Sequence, residues 1–214
     1  MIVTNAIPTR EEAENLLAWG YDLNPGVWTE HCRNTAKVAS RIARECGLDA
    51  EVAYVLGLMH DIGYYDFRNG KGKTCHIFTG YELMMKKKHA FAARICLSHS
   101  FPIPDVRAYG GADFNCSDEQ QQLLSRFLSE TEYNEYDKLI QVSDTIGSAS
   151  GMVIMEKRML DVIIRSGFNE FSREKCSAYL ALKDHFDAMC GMNIYNLFYD
   201  EIVTDIMKKP AIVS

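Results

Sequence analysis

The stretch from residue 50 to 60, Ala-Glu-Val-Ala-Tyr-Val-Leu-Gly-Leu-Met-His, constrains this chain more than any other. Val52, Ala53, Val55, Leu56, Leu58 and Met59 leave hardly any polar face at helical spacing, so a central, buried helix is predicted. Asp49 stands where it can cap that helix. The helix closes on His60 and Asp61, next to a turn containing Gly63. A buried carboxylate beside a buried imidazole is costly unless something pairs with both. A divalent cation does so, and imidazole nitrogen with carboxylate oxygen suits Mn, Fe, Co, Ni or Zn.

Two other positions fit the same centre. His31 lies near the start of a long helix expected from about Val27 to Cys46, on the side of Thr35, Val38 and Ile42, and so points inward. Asp144 ends an apolar stretch and is followed by small residues, Thr-Ile-Gly-Ser-Ala-Ser-Gly, which would let it approach closely.

The remaining signals are helical as well. Thr9-Arg10-Glu11-Glu12 fits a capping box opening a helix through about Trp19, with a turn at Asn24-Pro25-Gly26. Residues 61 to 75 read as a functional loop, followed by helices near 77–88 and 89–98. A second irregular stretch covers 101–116, then Ser117 and Gln120 cap another helix, followed by one leading to Ser143. Amphipathic segments near 152–165, 172–190 and 194–208 complete an all-α, single-domain helical bundle spanning 1–214. Ile194, Leu197, Phe198 and Ile202 form a stripe that serves either the core or a homodimer contact.

Bulk properties exclude several classes. The net charge of −6 disfavours nucleic acid as a partner, which needs clustered Lys and Arg. No stretch reaches the ~18 apolar residues of a membrane helix, and the N-terminus has no secretory pattern. The seven cysteines are odd in number, scattered and never spaced Cys-x-x-Cys. Reduced thiols and a cytoplasmic location are expected.

Glu30-His31-Cys32-Arg33, Gly57-Leu58-Met59-His60-Asp61-Ile62-Gly63 and Val142-Ser143-Asp144 together resemble the HD-domain metal-dependent phosphohydrolases, over residues 27 to 150. The resemblance implies that His31, His60, Asp61 and Asp144 ligate one divalent metal. It further implies that His76 and His99 add ligands in members that hold two metals, with Asp61 bridging. The implied substrate is a small phosphorylated molecule, expected to be a nucleotide, cleaved at a phosphoester or phosphoanhydride. A bound cation lowers the pKa of its water from 15.7 toward ~7, and Asp61 would act mainly as ligand and as acceptor of a proton from that water. Arg68, Lys71 and Lys73 crowd the loop after the His-Asp pair and are candidates to bind substrate phosphate, the alternative being solvated loop charges. Tyr64 and Tyr65 are candidates to stack a base or sugar. Two other functions fit the same scaffold: a di-iron oxygenase, and a non-catalytic metal- or nucleotide-binding regulatory module.

Overall fold

The computed structural model describes residues 6–66, 75–109 and 114–207. Helix α1 (Arg10–Leu23) starts on Thr9, whose hydroxyl accepts from the Glu12 amide at 3.2 Å. It runs one turn past Trp19 and ends at Asn24, in the expected turn. Asn24 Nδ2 donates to the Tyr64 carbonyl at 2.7 Å and so ties this corner to the segment after the His-Asp pair. Helix α2 (Trp28–Glu45) buries Thr35, Val38, Ala39 and Ile42 along one face and stops before Gly47, which adopts a left-handed φ of 77°.

Helix α3 (Ala50–Met59) is the buried helix of the sequence. Asp49 accepts from the amides of Glu51 and Val52 at 2.9 and 3.1 Å. Val55, Leu56, Leu58 and Met59 are all at most 1% exposed, each contributing about 1.5–3 kcal/mol of apolar burial. It packs against α1 and α2, and also against α5 (Ala90–Ser98) and α7 (Glu135–Ile146). The chain then tightens into a 3-10 turn over Ile62–Asp66, the opening part of the expected 61–75 loop.

Helix α4 (His76–Lys86) pairs with α5, and α6 (Asp118–Glu130) carries the expected Ser117–Gln120 capping box. Phe101 and the face of α6 bearing Leu124 and Leu128 build a second apolar cluster with Ile77, Phe78 and Leu97. After α7 comes a minimal hairpin, β1 (Gly147–Ser148) with β2 (Gly151–Met152), antiparallel with Gly147 opposite Met152. Helix α8 (Met155–Ser166), helix α9 (Ser172–Cys190), a 3-10 turn over Ile194–Phe198 and α10 (Tyr199–Met207) follow. The fold is all-α apart from that hairpin.

Two expectations need correction. The segment 194–208 is not one helix: its first five residues are 3-10, and the Asn193 side chain accepts from the Tyr195 amide at its start. Of the two places expected for its stripe, Ile194, Phe198 and Ile202 take the core. Cys75 and Cys116 are not reduced thiols but a disulfide, because the fold brings their Cα atoms within 4.8 Å across 41 residues of sequence. Cys32, Cys46, Cys96, Cys176 and Cys190 are free. No helix among the described residues is long and apolar enough to cross a membrane.

Candidate metal centre

Local packing delivers six side chains to one point. His31 comes from the first turn of α2, His60 and Asp61 from the end of α3, His76 from the start of α4, His99 from the end of α5 and Asp144 from α7. Gly63 permits this convergence. A Cβ there would lie 1.8 Å from the His76 carbonyl oxygen, so only glycine lets the 3-10 turn sit against the first residue of α4. Gly147 does the same on the other side, where a Cβ would meet the Thr35 amide nitrogen at 2.5 Å. Its carbonyl is thereby placed to accept from His31 Nδ1, 2.5 Å away. Helices α5 and α7 are clamped by the buried Asp137, which accepts from Arg94 and from the Ser98 hydroxyl at 2.8 Å. That clamp sets His99 relative to Asp144.

The six groups form two triads joined by one carboxylate. His31, His60 and Asp144 bring their ligand atoms within 4.8 Å of one another, and so do Asp61, His76 and His99. Asp61 belongs to the second and also faces the first. Its Oδ2 lies 3.6 Å from His31 Nε2 and 3.5 Å from His60 Nε2, while its Oδ1 lies 3.4 Å from His76 Nε2 and 3.2 Å from His99 Nε2. His31 Nε2 also lies 2.9 Å from Asp144 Oδ1.

The donor set fits divalent cations. His31, His60 and His99 each direct Nδ1 at backbone carbonyls: Gly147, Gly57 at 2.7 Å, and Cys96 at 3.0 Å with Ile95 at 3.2 Å. A carbonyl only accepts, so Nδ1 carries the proton and Nε2 is left with a lone pair aimed inward. The Nε2 atoms of His31 and His60 then face each other at 3.2 Å, beside two carboxylates. Asp61 Oδ1 is buried with no hydrogen bond of its own. Buried lone pairs aimed at one another call for positive charge between them.

The titration of these groups follows from that crowding. Burial pushes the His60 imidazole down to about 4, against the pull of Asp61 and Asp144. Burial opposes charge on His31 and His99 too, but contact with Asp144 and Asp61 respectively outweighs it and raises both. Burial likewise opposes ionisation of Asp61, yet His60, His99 and His76 hold it well below the usual carboxylate range. His31 does the same for Asp144. Both carboxylates are therefore anionic and available as ligands at neutral pH.

A cavity of about 790 Å³ opens over the two triads. Tyr64 lines it and stacks on His76, ring centres 4.3 Å apart and planes 11° apart, whereas Tyr65 packs on Trp19 at 4.8 Å and does not line the cavity. Trp28, Tyr109 and Phe114 add further aromatic wall. Arg68, Lys71 and Lys73 lie outside the described residues. His89 and His185 are elsewhere, beside Glu12 and Glu135 at 3.2 and 2.6 Å.

Part of the cavity wall comes from α8 and α9, where no motif pointed to function. Arg158 and Lys175 face the cavity there. In sequence each is one cation on an amphipathic helix, and no spacing distinguishes it from a solvated charge.

Comparison with known proteins agrees with the metal centre. A family model described as HD domain matches residues 28–147, more than half of the chain. No curated protein and no solved structure matches it.

Proposed function

The chain belongs to the HD domain family, and from that membership we propose that it is a metal-dependent phosphohydrolase cleaving a phosphoester or phosphoanhydride bond of a nucleotide. One observation carries the proposal: the two oxygens of the Asp61 carboxylate face two separate His-containing triads, at 3.5–3.6 Å from His60 and His31 and 3.2–3.4 Å from His99 and His76. His31, His60, Asp61 and Asp144 would hold one cation, and Asp61, His76 and His99 a second. Divalent Mn, Fe, Co, Ni or Zn there supplies Lewis acidity toward phosphoryl oxygens and a water acidified from 15.7 toward ~7.

The chain's own residues do the rest. Asp61 is the catalytic residue of the proposal, because its two oxygens face both triads and it is held anionic, able to orient the attacking water and take its proton. The carbonyls behind His31, His60 and His99 lock each ring so that Nε2 points at the reacting centre. Tyr64 holds His76 by stacking and, with Trp28, Tyr109 and Phe114, offers apolar area for a nucleobase. Arg68, Lys71 and Lys73 enter as phosphate contacts from their place in the sequence directly after the turn that carries Tyr64.

The test is a phosphate-release screen over nucleotides with each of the five metals. Release that needs added metal and stops on chelation is the expected result. No release with any metal would sink the hydrolase assignment, and a protein that purifies with iron and an absorption band in the visible would favour oxygen chemistry instead.

A further inference from the structure

Arg158 and Lys175 differ from the other cations of this chain in how they are paired. The half-buried or buried Lys and Arg residues elsewhere have carboxylate partners: Arg33 with Glu14, Arg94 with Asp137, Lys138 with Glu135, Lys183 with Asp187. Described cations without such a partner, Lys86 to Lys88 among them, are exposed. Arg158 and Lys175 alone among the described residues are half-buried with no carboxylate within ion-pairing distance, and both line the cavity above the triads.

Their surroundings are built rather than incidental. Lys175 Nζ lies 5.8 Å from the centre of the Tyr109 ring and 6.0 Å from that of Tyr179. Among the groups of the metal centre, Asp144 of the first triad is the one that acts on Lys175 electrostatically. Arg158 is near enough to His31 and Tyr179 to act on both electrostatically. Two aromatic faces compensate an ammonium only in part, and a guanidinium has five donors to satisfy. Burial pushes the Lys175 ammonium down to about 8, with Asp144 opposing. Withdrawn cations with no carboxylate within ion-pairing distance are only partly compensated, and an anion entering from solvent would complete them.

That anion is not the phosphoryl group being cleaved, which the triads would take. We propose that Arg158 and Lys175 form a second anion site on the wall of the cavity that opens over the metal centre, which receives a further phosphoryl group and makes nucleotides with two or more phosphoryl groups the preferred ligands over monophosphates. This rests on the hydrolase proposal for the identity of the reacting group, though not for the existence of the site. The guanidinium fork suits two phosphoryl oxygens at once and the ammonium a single one. Both residues lie beyond residue 147, so the site belongs to the C-terminal helices and not to the segment shared with the family.

Calorimetric titration of the metal-loaded protein with adenosine monophosphate and with the methylene analogue of adenosine diphosphate tests the site. Wild type is expected to bind the diphosphate analogue about tenfold tighter or more, the effect of one charge-assisted contact. Arg158→Gln and Lys175→Gln each bring that ratio to about two or less, Arg158→Lys loses part of it with the fork, and Lys175→Arg, which keeps the charge, keeps most of it. Metal content and circular dichroism establish that the variants are folded. A ratio near one in wild type, or one that neither Gln variant alters, overturns the site. Phosphate release measured alongside separates the two proposals. A wild-type protein that discriminates between the ligands yet releases no phosphate upholds the anion site and sinks the hydrolase; release without discrimination does the reverse.

Discussion

His31 Nε2 and His60 Nε2 face each other 3.2 Å apart, each ring turned by a carbonyl bonded to its own Nδ1. Neither nitrogen can satisfy the other while both Nδ1 atoms hold the protons. A proton on His31 Nε2, donated to Asp144 at 2.9 Å, relieves the conflict in the metal-free protein, and a divalent cation relieves it more completely. The raised pKa of His31 beside the depressed one of His60 expresses the same competition.

Asp61→Ala is expected to lower phosphate release by about a thousandfold or more, because the two oxygens of one side chain face both triads. Helical circular dichroism should survive, since the backbone of α3 is held by its apolar faces. Undiminished turnover in a folded variant would remove Asp61 from the catalytic role.

His76→Ala touches only the second triad. Elemental analysis is expected to show metal falling from about two ions per chain to about one. An unchanged count would leave His76 as a packing partner of Tyr64.

Gly63→Ala tests the close approach that brings the His-Asp pair to α4. A methyl group 1.8 Å from the His76 carbonyl cannot be accommodated by a rotamer change, because the obstacle is backbone. We expect destabilisation of about 3 kcal/mol or more by thermal or denaturant unfolding, with weaker metal retention in the surviving fold. A wild-type midpoint would show that the turn can move away from α4 at little cost.

Binding of the diphosphate analogue should depend on pH through Lys175, which is faced by Asp144, Cys176 and the rings of Tyr109 and Tyr179. Its folded pKa of about 8 lies below the ordinary 10.5. The folded amine therefore loses its charge as pH rises through about 8, while the unfolded chain keeps the proton up to 10.5. Affinity is expected to be level below that point and to fall about tenfold above it, the midpoint moving upward when ligand is bound. By the same linkage, metal-free wild type gains stability between those two values. Lys175→Arg stays charged throughout and should lose the step; a step that persists in that variant would belong to another group.

Local chemistry leaves its mark in the chain, and the parts it controls were legible there. The unbroken apolar surface of residues 52–59 makes a helix that can only be central, and Asp49, Ser117 and Gln120 cap where short-range hydrogen bonding places them. His60 and Asp61 at the end of such a helix demand a counter-charge whatever surrounds them, so the metal-ligand character of the pair, together with His31 and Asp144, was legible from residue type and position. The tertiary structure alone decided which groups meet. Nothing local makes the two oxygens of Asp61 look toward different histidines, pairs Cys75 with Cys116 across 41 residues, or aims Arg158 and Lys175 at a centre built by other helices. Those relationships follow from how α4, α5, α8 and α9 pack around α3. Packing depends on close approaches such as Gly63 against His76 and on shape complementarity between distant segments, and neither leaves a period or a spacing in the chain to be read.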